Sequence, residues 1–88
     1  MSVTDSLLAE KAALERIERE KATHKRSARV FFDTLDALYP PQDTPEYWEK
    51  AAEMVCKAYA DAGKPKLLLG LLTATMEYLE EVAKYEQN

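Results

Sequence analysis

A single imidazole, His24, and a single thiol, Cys56, are all that this 88-residue chain offers in side chains whose ordinary pKa lies near neutral pH. A general base needs a partner group that orients it. A nucleophile needs a base within reach and donors for the developing oxyanion. Neither requirement is met in the sequence: there is no second His, no Gly-rich loop, and no G-x-S-x-G context around Ser2, Ser6 or Ser27. His24 is therefore expected as a polar spacer in a helix seam, Cys56 as a small buried hydrophobe beside Ala52 and Tyr59, and the serines at helix ends and on solvated faces. The Glu-x-x-His signature of bundle metal sites and the glycine motifs that cradle phosphate are both missing. No catalysis, no metal and no cofactor are expected.

The remaining polar chemistry lies in charge clusters. Carboxylates recur at helical spacing as Asp33 with Asp36, Glu49 with Glu53, and Glu77 with Glu80 and Glu81. A cation site would need a turn or carbonyl cage beside them, and solvated helix faces give the same spacing, so Glu77, Glu80 and Glu81 read as an acidic face. Lys21, Lys25, Arg26 and Arg29 form a basic run with no carboxylate among them, a geometry able to follow a phosphate backbone. The formal net charge of −4 argues against that use. Neutralisation of the belt by the acidic last helix, or by its symmetry mate, is expected instead. Residues 1–29 carry a net +2 and residues 30–88 a net −6, so the molecule should be electrically polar.

The elements that must position these groups follow from turn residues. Two Gly and four Pro are too few for an all-β domain, and the length suits one small domain. Nothing interrupts residues 5–39 before Pro40-Pro41 forbids continuation. Thr44-Pro45-Glu46 is a helix start, with a capping hydroxyl, a proline whose missing donor costs nothing there, and an acid at the positive end of the dipole. Gly63 is a left-handed stop and Pro65 opens a last helix. The expected fold is all-α: a three-helix bundle with a long first helix, spanning about 5–39, 45–62 and 65–87. Residues 1–88 form one domain, from which 1–20 protrude as an oligomerisation helix. A helix-turn-helix reading around Gly63 fails, because the would-be recognition helix opens on Leu67 to Leu72 rather than on base-reading side chains.

Apolar spacing decides what these helices require. In a heptad frame with a at 7, 14, 21, 28 and 35, the first helix shows a seam of Leu7, Leu14, Ile17, Ala28, Phe31, Leu35 and Leu38, broken by Glu10, Lys21 and His24. Phe32 and Tyr39 are expected to join the core side of its C-terminal half. The apolar arcs of the other two helices are wider than one contact needs, with Trp48, Val55 and Tyr59 central and Tyr47, Met54, Leu67, Tyr78 and Tyr85 towards the flanks. At ~1.5 Å per residue the first helix exceeds its neighbours by two or three turns, leaving Leu7 and Leu14 without cover. Self-association through Leu7, Leu14, Ile17 and the flank residues is the expected solution, with a dimer as the expected state. One Cys excludes an internal disulfide, the opening residues do not read as a secretory signal, no run is long enough to span a membrane, and the cytoplasm is the expected compartment.

The stretch Thr44-Pro45-Glu46-Tyr47-Trp48-Glu49-Lys50, with a charged leading helix and a short final one, resembles small uncharacterised helical proteins encoded by bacteriophages and mobile elements. The resemblance covers about the last half of the chain. It implies the context of a regulator or inhibitor and brings no catalytic pattern with it. The functional expectation is a non-enzymatic, self-associating protein-interaction module whose partners are a second copy and a host protein, with neither nucleic acid nor membrane expected. One alternative is an acidic, anti-CRISPR-like inhibitor of a nucleic-acid-handling defence enzyme. Another is nucleic-acid binding through residues 21–29.

Overall fold

The computed structural model describes residues 2–86, apart from the side chain of Glu86. They form three α-helices: α1 (Val3–Leu38), α2 (Pro45–Asp61) and α3 (Lys66–Glu86). The predicted helices are all present with ends shifted by at most two residues, and Gln87, the expected last helical residue, lies outside the described residues.

Each boundary has a local cause. Ser2 is extended and its hydroxyl accepts from the Asp5 N–H at 3.2 Å, which satisfies one of the free donors at the start of α1. With no Gly or Pro inside it, α1 runs unbroken to Leu38; the Tyr39 N–H still reaches Leu35 O at 2.9 Å before Pro40 ends the ladder. Thr44 caps α2 by accepting from the Tyr47 N–H at 3.2 Å, and Pro45 follows at the first helical position. At the far end Gly63 donates to Ala60 O (3.1 Å) and Lys64 to Tyr59 O (3.0 Å), the paired bonds of a Schellman stop. Gly63 sits at φ 86°, where a Cβ would be strained.

Leu38 near the end of α1, Ala51 early in α2 and Leu79 late in α3 share one buried cluster, so α2 runs back along α1 and α3 returns in the direction of α1. Leu35, Trp48, Met54, Val55 and Met76 pack around that cluster, and Leu68 and Leu72 extend the buried set towards the start of α3. The α1–α3 contact is the most extensive of the three. Small residues are buried on both of these helices: Ser27 and Thr34 on α1, Thr75 and Ala83 on α3. Thr34 and Thr75 each donate to the carbonyl four residues back, Val30 and Leu71, at 2.8 Å, so their hydroxyls enter the interior already paired. The Ser27 hydroxyl has no partner among the described residues.

Three expectations are corrected here. Ser27 is core, not a solvated position, because the buried face of α1 is centred on Ser27, Thr34 and Leu38. Phe32 and Tyr39 are exposed, and Ala28 with them, because at ~100° per residue they lie well round the helix from that face. The uncovered part of α1 is also longer than two or three turns: every residue from 2 to 22 is exposed. The meridian of Thr34, followed back five turns, meets Arg16, and that of Leu38 meets Glu20. The core face simply becomes polar, and α2 and α3 do not follow it. The outcome is a rod of 68 × 22 × 17 Å with a radius of gyration of 18.9 Å, against ~12 Å for a compact chain of this length.

Two substitutions test this packing. Gly70 lies inside α3 with open space where a Cβ would stand, so Gly70→Ala should raise stability by about 1 kcal/mol. Ser27→Ala removes a buried hydroxyl without a partner and should stabilise by about the same amount. Urea denaturation at matched protein concentration measures both; destabilisation by Ser27→Ala would show that its hydroxyl contributes to the interior.

Candidate functional site

The N-terminal arm of α1 carries the feature that the fold leaves unresolved. Along it Val3 is 78% exposed, Leu7 60%, Leu14 64% and Ile17 41%. These four lie on one stripe, roughly a third of a turn from the face that α1 presents to α2 and α3. The stripe continues past the arm: Phe32, 60% exposed, is eighteen residues and about five turns beyond Leu14, on the same meridian. Leu8 is exposed as well, about 100° round the helix from Leu7 and off the stripe. Val3 and Leu8 were not singled out from sequence, although Val3 occupies a d position of the same heptad frame. The frame itself merges two faces into one seam: a straight α-helix drifts ~20° per heptad, so a 3.5-residue period followed over five heptads crosses from the arm stripe to the bundle face.

Glu10, Lys21 and His24, the polar breaks in the seam, are all exposed. So are Lys25, Arg26 and Arg29, which line one shallow recess on α1. Glu77, Glu80 and Glu81 line another with Lys84 and Tyr85 on α3. Leu38 shares a cluster with Leu79, so the acids lie level with the end of α1. The basic run from 21 to 29 lies ~14 to 26 Å back along the helix. The expected neutralisation of the belt by the last helix of the same chain is therefore not made: the bundle holds the two charge clusters apart along its axis.

The flank residues divide. Leu67, Tyr78 and Tyr85 are exposed, and spacings of eleven and seven residues put them within ~20° of one line along α3. Tyr47 and Met54, expected at an interface, are half-buried against the core cluster. The Tyr47 hydroxyl donates to Leu38 O at 2.6 Å, which satisfies a free carbonyl at the end of α1, and its ring meets Trp48 edge-on at 4.8 Å. Trp48 Nε1 donates to Asp43 at 3.2 Å, which ties the connection to α2. Trp48, Val55 and Tyr59, expected as core, are half-buried.

Cys56 is exposed rather than buried, because it sits on the open edge between α2 and α3 beside Val55, Tyr59 and Met76. His24 does not line that crevice, so thiol and imidazole are not brought together. Among the described residues no group of three His, Cys, Asp or Glu side chains is placed to hold a metal ion, and no helix is long and apolar enough to cross a membrane.

Desolvation raises the Tyr47 phenol above its ordinary value near 10. An acid held in its neutral form by folding contributes stability below its unfolded pKa and loses that contribution as pH rises through the folded one. Tyr47→Phe should cost about 1 kcal/mol at neutral pH and remove part of the stability loss seen above about pH 10, as measured by thermal melts across an alkaline series. Compared with protein-family models, with curated proteins and with solved structures, the chain matches none.

Proposed function

We propose that the protein is a non-enzymatic helical docking module that self-associates through the protruding half of α1 and acts as a regulator or inhibitor by binding another protein. The observation that carries this reading is the arm itself. A helix of about 20 residues is marginal in water without tertiary packing, and this one presents Leu7, Leu14 and Ile17 to solvent along a single stripe. A second helix laid on that stripe supplies the missing contact. The resemblance of the Thr44–Lys50 stretch to proteins of phages and mobile elements suits a small inhibitor or regulator, and catalysis would need an oriented partner for His24 or Cys56.

A second reading rests on a different observation, the exposed recess of Glu77, Glu80 and Glu81. Clustered acids at one end of a narrow rod suit the basic groove of a nucleic-acid-handling enzyme, where they would occupy the place of phosphates. Reversal of all three to Lys should abolish such a complex at low salt and leave self-association intact. Saturable binding of duplex DNA, lost on Arg26→Glu, would instead favour the basic belt as the working surface.

Light scattering over a concentration series tests the first reading. The chain of 10.0 kDa should show twice that mass, and Leu7→Glu with Leu14→Glu should return it to one copy without loss of the cooperative unfolding of the bundle. A wild-type chain that stays monomeric at every concentration would overturn the reading.

A further inference from the structure

The arm's polar breaks specify how two copies meet, given the self-association proposed above. We infer that two α1 helices pair antiparallel, in the register that sets Leu14 against the partner's Ile17 and Glu10 against the partner's Lys21. In the heptad frame with Leu7 at a, antiparallel helices form layers of a against d. The register centred between residues 15 and 16 gives each core position from 3 to 28 a counterpart: Val3 meets the partner's Ala28 and Leu7 the partner's His24. Its two charged layers are complementary, Glu10 with the partner's Lys21 and the reverse. The flank adds a further match, with Lys11 beside the partner's Glu18 in both copies.

Other arrangements lose this complementarity. A parallel, in-register pair puts Glu10 against the partner's Glu10 and Lys21 against the partner's Lys21, and gains only Glu20 beside the partner's Lys25. An antiparallel pair shifted by one heptad in either direction sets Glu10 against the partner's Leu14 or the partner's Ala28, and Lys21 against the partner's Val3 or the partner's Ile17. A charge at a core layer weakens a coiled coil but fixes its orientation when the opposite charge faces it. The bundle leaves room for this pairing: residues 3–22 are exposed throughout, and Ala28, the last position used, is exposed although its neighbour Ser27 is buried. The partner's tip therefore docks beside the α1–α3 contact and does not compete with it.

Charge exchange reads out the orientation. Glu10→Lys alone, or Lys21→Glu alone, should raise the dimer dissociation constant at least ~tenfold in sedimentation equilibrium, and the double exchange should restore it. In a parallel pair neither single change creates a new kind of clash and the double change relieves none. Cooperative unfolding of the bundle, whose interior these exposed arm positions do not enter, should be unchanged in each variant and controls for misfolding. As a second measurement, a spin label at Thr4→Cys in a Cys56→Ser background should place the two labels about 35 Å apart, against about 10 Å for parallel tips. Dimers that ignore the single changes, fail to recover in the double, or hold the tips together overturn the antiparallel register while leaving self-association standing. A wild-type monomer at every concentration overturns both.

Discussion

Thirty-six residues of helix cannot be covered by companions of 17 and 21 that are both anchored near one end of it. The anchor is the corner at Pro40 and Pro41. It sets the start of α2 beside Leu38, Tyr47 closes the last carbonyl of α1, and Leu79 brings the later part of α3 to the same level. From that point α2 and α3 reach back only as far as the region of Ser27, and the first twenty or so residues of α1 extend into solvent. The elongated shape, the separated charge clusters and the uncovered apolar stripe all follow from this mismatch in length.

Energetically the molecule has two parts. The bundle buries a short interior of leucines with small residues between α1 and α3, where close approach replaces bulk as the source of contact. The arm has helical propensity, one capping bond at Ser2 and charges of both signs, but no packed face. Each of its exposed Leu or Ile side chains would contribute roughly 1.5–3 kcal/mol on full burial. That is the scale on which covering the stripe acts, and it is large beside the marginal stability expected of so small a core. Segregation of charge follows the same axis. The belt at 21–29 and the acids at 77–81 are too far apart to neutralise one another within a chain, so both remain at the surface as features that a partner can read.

Much of the fold was legible from a few residues. Pro40, Pro41, Thr44, Pro45 and Gly63 locate the end of α1 and both ends of α2, because each acts through its own backbone or the adjacent turn. The length excess of α1 and the exposure of Leu7, Leu14 and Ile17 were also legible, since rise per residue is fixed. Less visible was the face that α1 offers to the bundle. Ser27 and Thr34 carry no apolar signal, while Phe32 and Tyr39 do, so a pattern read as hydrophobic-in misplaces Ser27, Phe32 and Tyr39 and passes over Thr34. Cys56 was misplaced for a related reason: it lines a crevice left open between α2 and α3, and no single-helix pattern records that.

The chain alone therefore determined where its helices begin and end, how long each is, and that one of them outruns the others, because these are local properties of dihedrals, caps and rise. Only the tertiary structure decided which meridian of α1 is buried, that the Tyr47 hydroxyl closes a carbonyl at the end of α1, and that the acidic and basic clusters end up apart. Those outcomes depend on how closely three helices approach and at what height they are pinned, and that is set by side chains from distant parts of the chain acting together.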